Sequence, residues 1–186
     1  MGDISIIQAL LVFVVAFIMG IDQFSFLESL YQPIVTCPII GAILGNFELG
    51  IVVGGAYQLI QIGSMPIGGA QPPNAILGGI MATVFAVSLG MEATADGVGA
   101  AMGLAIPFAV FGQYAVTLTF TAMSGMMAKA DKYAEEANVK GIRNLNFLEM
   151  AILGTLFGLL AVAGLYGGTA LGEALKDFSW QFSWVM

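Results

Sequence analysis

Six side chains place hydrogen-bonding chemistry inside otherwise apolar stretches: Gln58, Gln61, Ser64, Gln71, Asn74 and Gln113. An amide carries both donors and an acceptor. It therefore matches a hydroxyl that itself donates and accepts, and the set predicts a site for a neutral polyol. Gln58 and Gln61, three residues apart, share a face if their segment is helical. Gln71 and Asn74 fall in the run Gly68-Gly69-Ala70-Gln71-Pro72-Pro73-Asn74, and Gln113 follows Gly112 in another apolar stretch. The same amides would also serve as bridges between helices, each contributing about 1 kcal/mol or less. Both roles stay open for Gln113. Glu48 is the most deeply embedded carboxylate, and burying it unpaired would be costly. It is expected at an aqueous turn between Gly45 and Gly50, outside the site.

The missing residue types exclude much else. There is no histidine, so His-ligated zinc, Ser-His-Asp triads and phosphohistidine chemistry cannot reside in this chain. The single Cys37 beside Pro38 allows no intramolecular disulfide and reads as a buried thiol. No lysine stands where a phosphate-cradling Gly-x-x-x-x-Gly-Lys-Ser/Thr loop needs one. With a net charge of -7 and no basic patch, nucleic acid is not an expected ligand. No catalytic residue, metal or cofactor is expected.

What must position the amides is a set of membrane helices. Hydrophobic residues make up 59% of the chain and charged ones 9%, against about a quarter charged in soluble domains. Uncharged runs cover Ile4 to Ile21, Ser29 to Phe47, Leu49 to Met91, Gly97 to Ala128 and Met150 to Gly172. A bilayer crossing takes roughly 20 apolar residues, so each run supplies a span or a deep insertion. The N-terminus lacks the basic region of a cleavable signal, and its first apolar segment is expected to stay. The predicted fold is all-α and polytopic, one membrane domain over 1–186, with Gly-rich transmembrane helices and a re-entrant or broken helical hairpin.

Along the chain, residues 4–21 read as the first membrane helix. Asp22 to Tyr31 places Phe24, Leu27 and Tyr31 at helical spacing, the pattern of a short interfacial helix. Closely spaced glycines from Gly41 to Gly55 let helices approach one another. Two adjacent prolines, two adjacent glycines and two amides in the segment from Pro66 to Asn74 cannot continue a helix. Tyr57–Met65 and Ala75–Met91 are therefore predicted as the arms of the broken hairpin, since non-helical backbone at membrane depth must be buried in protein or line a wet cavity. Residues 97–128 predict a long span kinked at Pro107, and Phe147–Gly168 a last one. Trp180, Phe182 and Trp184 suit an interfacial belt. Four of the five basic residues, Lys129, Lys132, Lys140 and Arg143, fall in the hydrophilic loop 129–146, whose composition suggests an exposed surface helix fragment and which the positive-inside rule makes cytoplasmic.

These residues resemble the C component of mannose-type phosphoenolpyruvate:sugar phosphotransferase permeases. The resemblance rests on Gly20-Ile21-Asp22, Pro33-Ile34-Val35-Thr36-Cys37-Pro38, Gly41-Ala42-Ile43-Leu44-Gly45-Asn46 and Gly50-Ile51-Val52-Val53-Gly54-Gly55. Most specific is Gly68 to Asn74, supported by Ala105-Ile106-Pro107 and Gly112-Gln113. It covers the whole chain, which stops before the second hydrophobic block usual in such proteins. Its Gln-Pro-Pro-Asn tip is similar to the sorbose and N-acetylgalactosamine branch as much as to the mannose branch. The resemblance implies a multi-pass permease subunit in the bacterial inner membrane that passes a hexose or amino sugar inward. It further implies a D membrane subunit, soluble A and B phosphocarriers of which B phosphorylates the sugar, and oligomers of C and D pairs. It also implies a core domain carrying the hairpin that moves against a scaffold. The competing expectation, from Gly-rich helices alone, is a non-phosphorylating small-solute channel or a structural membrane subunit.

Overall fold

The computed structural model describes residues 4–64 and 71–182, with side chains described through Gly168. The helices are α1 (Ile6–Ser25), α2 (Pro33–Leu44), α3 (Phe47–Gln61), α4 (Ala75–Ser88), α5 (Ala95–Met123), α6 (Met127–Glu135) and α7 (Val139–Phe182), with a single 3-10 turn, Ser124–Met126, between α5 and α6. Among the described residues, three stretches are long and apolar enough to cross a bilayer: Ile6–Ser25, Ala95–Glu135 and Val139–Gly168.

Local chemistry sets most of the boundaries. Ser5 and Gln8 form a reciprocal capping box at the start of α1, which satisfies amides that have no partner inside the helix. Pro33 opens α2, and Gly45 closes it at φ 90°, a left-handed conformation that glycine adopts without a Cβ penalty. Asn46 then accepts from the Leu49 amide to start α3. Glu48 is exposed in that first turn, at the predicted bend and where the helix dipole favours a carboxylate.

Packing follows the small residues. A Cβ at Gly50 would lie 2.6 Å from the Cys37 carbonyl oxygen, and one at Gly54 2.7 Å from that of Pro33. The glycine-dense stretch thus lets α2 and α3 close as a hairpin, with Cys37 buried between them. On the other side, the α1 rings of Phe13 and Phe17 fill the space left by Gly158 and Gly154 of α7. At 1.5 Å per residue α2, α3 and α4 measure about 18, 22 and 21 Å, short of a hydrocarbon core of roughly 30 Å. α4 is buried on every side, with 13 of its 14 residues inside the protein. It occupies the centre, packed against α2, α3, α5 and α7.

One expectation is corrected. Asp22–Tyr31 is not an interfacial helix: α1 continues to Ser25 and residues 26–32 form turns. The cause is Asp22, whose buried carboxylate accepts from the amides of Leu27 (3.0 Å), Leu30 (2.7 Å) and Tyr31 (3.0 Å). Those bonds fold the chain back on the helix end. The stretch 129–146 carries the expected surface helix: it comprises most of α6, a tight corner with Ala137 at φ 49°, and the first turns of α7, with largely exposed side chains. Pro107 sits within α5 without ending it. The proposed belt residues Trp180, Phe182 and Trp184 lie outside the residues with described side chains.

Candidate functional site

The helix break begins where predicted on its second side. α3 ends at Gln61, α4 begins at Ala75, and Pro66 to Ala70 of the tip lie outside the described residues. Pro72 and Pro73 hold the chain extended up to Asn74, which cannot be helical itself because it takes the capping position of α4. Its Oδ1 accepts from the Leu77 amide at 3.1 Å, its backbone amide donates to the Ala109 carbonyl of α5 at 3.0 Å, and its Nδ2 donates to Gln23 Oε1 at 3.4 Å. Asn74, only 2% exposed, therefore ties together the end of α1, the start of α4 and the middle of α5.

The other predicted residues separate into two groups. Gln71 is exposed, and its Oε1 accepts from Gln113 Nε2, so the break and α5 meet through a pair of amides. That bond does not use the Gln71 NH2 or the Gln113 Oε1, which leaves donors and an acceptor in the pair. Gln58 instead caps α2: its Oε1 accepts from the Ile34 amide at 3.3 Å and its Nε2 donates to Gln32 Oε1 at 2.9 Å. The Ile34 amide is one of the unpartnered donors of the first helical turn. Gln61 is half-buried and its amide has no partner among the described residues. Ser64 donates to the Ile60 carbonyl at 3.3 Å.

Gln23–Asn74, Gln32–Gln58 and Gln71–Gln113 thus form three amide pairs where α1 and α3 end and α2 and α4 begin. Gln113 lies ~27 Å from the start of the 29-residue α5 and ~15 Å from its end. The Gln71–Gln113 pair therefore lies along the length of the bundle rather than at its end, and it is exposed there. Space there is tight, since Tyr57 of α3 places its hydroxyl where Gly78 of α4 has no side chain. Its one carboxylate is Asp22, already matched by three amides. No group of three metal-ligating side chains exists among the described residues. Such a layer can bind a neutral, hydroxyl-rich solute.

Gln23 and Gln32 were not anticipated from sequence, because each stands at the edge of an apolar run among ordinary loop residues. The usable signal was that each lies within a turn of a helix end, where an amide completes a cap.

Comparison with known proteins shows the family of the chain. The family described as "PTS system sorbose-specific IIC component" matches residues 6–186. The N-acetylgalactosamine permease IIC component 1 of Escherichia coli (strain K12) is 36% identical over 175 residues, covering 94% of this chain and 64% of that protein. The mannose-specific EIIC component of the same strain is 34% identical over 144 residues, 75% of this chain and 51% of its own length. The chain therefore spans between about half and two thirds of these two relatives. In a cryo-EM structure of the mannose transporter ManYZ with microcin E492, one chain superposes with a TM-score of 0.78 at 27% identity, covering 94% of this chain and 70% of that one.

Proposed function

The chain belongs to the sorbose-type IIC family of phosphotransferase permeases, and from that premise we propose that it forms the sugar-conducting part of a membrane complex. In this reading a hexose or amino sugar passes inward through the amide layer and is phosphorylated by a partner B subunit as it emerges. The observation that carries it is the Gln71–Gln113 pair, which joins the break before α4 to α5 away from either end of that helix. Two paired amides with unused donors and an unused acceptor suit neighbouring hydroxyls, and broken helices in transporters characteristically present such groups to polar solutes. Gln61 adds an unengaged amide from the other side of the break. Gln58 and Asn74 hold helix ends, so they position the contacts.

The absence of histidine agrees with a division of labour in which the phosphoryl group stays on soluble A and B subunits. A D membrane subunit completes the passage, and C and D pairs assemble further. The complex sits in the bacterial inner membrane with residues 129–146 on the cytoplasmic side, as their basic residues direct.

The test measures sugar affinity and uptake in membranes containing the chain with its D subunit. Gln71→Ala or Gln113→Ala should each weaken affinity about threefold to tenfold, the loss of roughly 0.5–1.5 kcal/mol for one hydrogen bond. Uptake should stop when the phosphoryl donor is withdrawn. Unchanged affinity in both variants at normal expression would move the site elsewhere, and donor-independent uptake would indicate a passive channel.

A further inference from the structure

A cavity of about 420 Å³ lies between the last turn of α1, the end of α5 with its 3-10 turn, and the early turns of α7. That volume is in the range of small-molecule sites, roughly 300–1,000 Å³. Its polar lining is Ser25, Ser124, Asn146 and Glu149. Its apolar lining includes Phe24 and Phe120, whose rings meet edge to face with centroids 5.0 Å apart.

Glu149 is half-buried and has no hydrogen bond or ion pair with any described residue. A carboxylate held against apolar walls is costly unless donors reach it. A polyol supplies two adjacent hydroxyl donors without bringing a charge, while its C–H face can lie on the two phenylalanine rings. A metal ion fits less well, because Glu149 is the only carboxylate in the lining and no described group of three metal-ligating side chains exists.

A polar track joins this cavity to the amide layer. Gln113, Thr117, Thr121 and Ser124 follow one another on one face of α5, spaced four, four and three. Each hydroxyl donates to a carbonyl one turn back, Thr117 to Gln113, Thr121 to Thr117 and Ser124 to Thr121. Their exposed oxygen lone pairs remain as acceptors along a path of ~16 Å. Ser124 belongs to both the track and the cavity.

We propose that this cavity is a second sugar subsite, which receives the sugar after it leaves the amide layer and holds it at the end of the molecule that carries the basic corner. The proposal rests on the reading of the chain as a sugar permease. The amide layer and the Glu149 cavity are then successive stations, each with its own affinity.

Equilibrium binding of radiolabelled N-acetylgalactosamine and mannose to the full complex, without phosphoryl donor, tests this. Two classes of site per chain are expected for at least one of the sugars. Glu149→Gln should weaken one class roughly tenfold or more, as loss of a charged acceptor implies, and leave the other intact. Gln71→Ala should do the reverse. Asn146→Ala is the second variant, expected to weaken the same class as Glu149→Gln, and it decides the matter should the glutamine variant not assemble. One class of site only, or two classes that both ignore the cavity substitutions, would overturn the second subsite and leave the permease reading standing. No saturable binding of either sugar would defeat both.

Discussion

Replacing Asp22 by Ala should loosen the turn between α1 and α2 and, through it, the amide layer. The carboxylate is 1% exposed and accepts three backbone amides, from Leu27, Leu30 and Tyr31. Leu27 is exposed, so water can replace its bond; Leu30 and Tyr31 are half-buried and would be left short of a partner. Two unmatched donors at roughly 1–3 kcal/mol each, reduced by partial relaxation, give a loss of about 3 kcal/mol. Asp22→Asn is the informative companion, because an amide oxygen can still serve Leu30 and Tyr31 while its NH2 meets the Leu27 donor. It should cost about half as much. Thermal unfolding of the assembled complex in mild detergent reads both variants. At about 2–4 °C per kcal/mol for a chain of this size, the alanine midpoint should fall by about 6–12 °C and the asparagine midpoint by about half of that. Sugar affinity should fall with it, since the same turn delivers Gln32 to Gln58. An alanine variant with the wild-type midpoint would refute the view that this carboxylate organises the turn.

The glycines of the α2–α3 hairpin divide by their surroundings. Gly50→Ala, meeting backbone at 2.6 Å, should destabilise by about 1–3 kcal/mol, whereas Gly55→Ala, with nothing within 4 Å, should stay within about 0.5 kcal/mol; unfolding midpoints compare them, and equal losses would mean that close approach is not what glycine serves there. A cysteine at Asn138 in a Cys37-free background should react in intact cells only with a membrane-permeant reagent, and efficient labelling from outside would invert the topology. In the native chain, Cys37, fully buried, should resist bulky maleimides until the protein is unfolded, which a mass shift on labelling before and after denaturation checks.

The parts of this fold that are legible in sequence are those set by local chemistry. Pro72-Pro73-Asn74 marks the start of α4 to the residue, because two prolines forbid helix and an asparagine caps it. Gly45 and Asn46 mark the α2–α3 turn for equally local reasons. The amides of Gln71 and Gln113 stand out as polar groups in apolar runs, but their pairing does not, since it joins residues 42 positions apart. The interfacial helix at Asp22–Tyr31 was misread because periodicity registers which side chains share a face and is silent on a carboxylate that binds amides five to nine residues ahead. The Glu149 cavity was invisible for a related reason. In sequence Glu149 closes the hydrophilic stretch and looks like one more solvated charge. Only the packing of α1, α5 and α7 puts two phenylalanine rings opposite it and removes its partners. A buried polar group becomes recognisable as functional when its neighbours are known, and in a helical membrane protein those neighbours come almost entirely from other helices. The residues proposed to bind here are therefore nameable from sequence by type, while the division between those proposed to touch the sugar and those that hold helix ends depends on which amides the fold has already used.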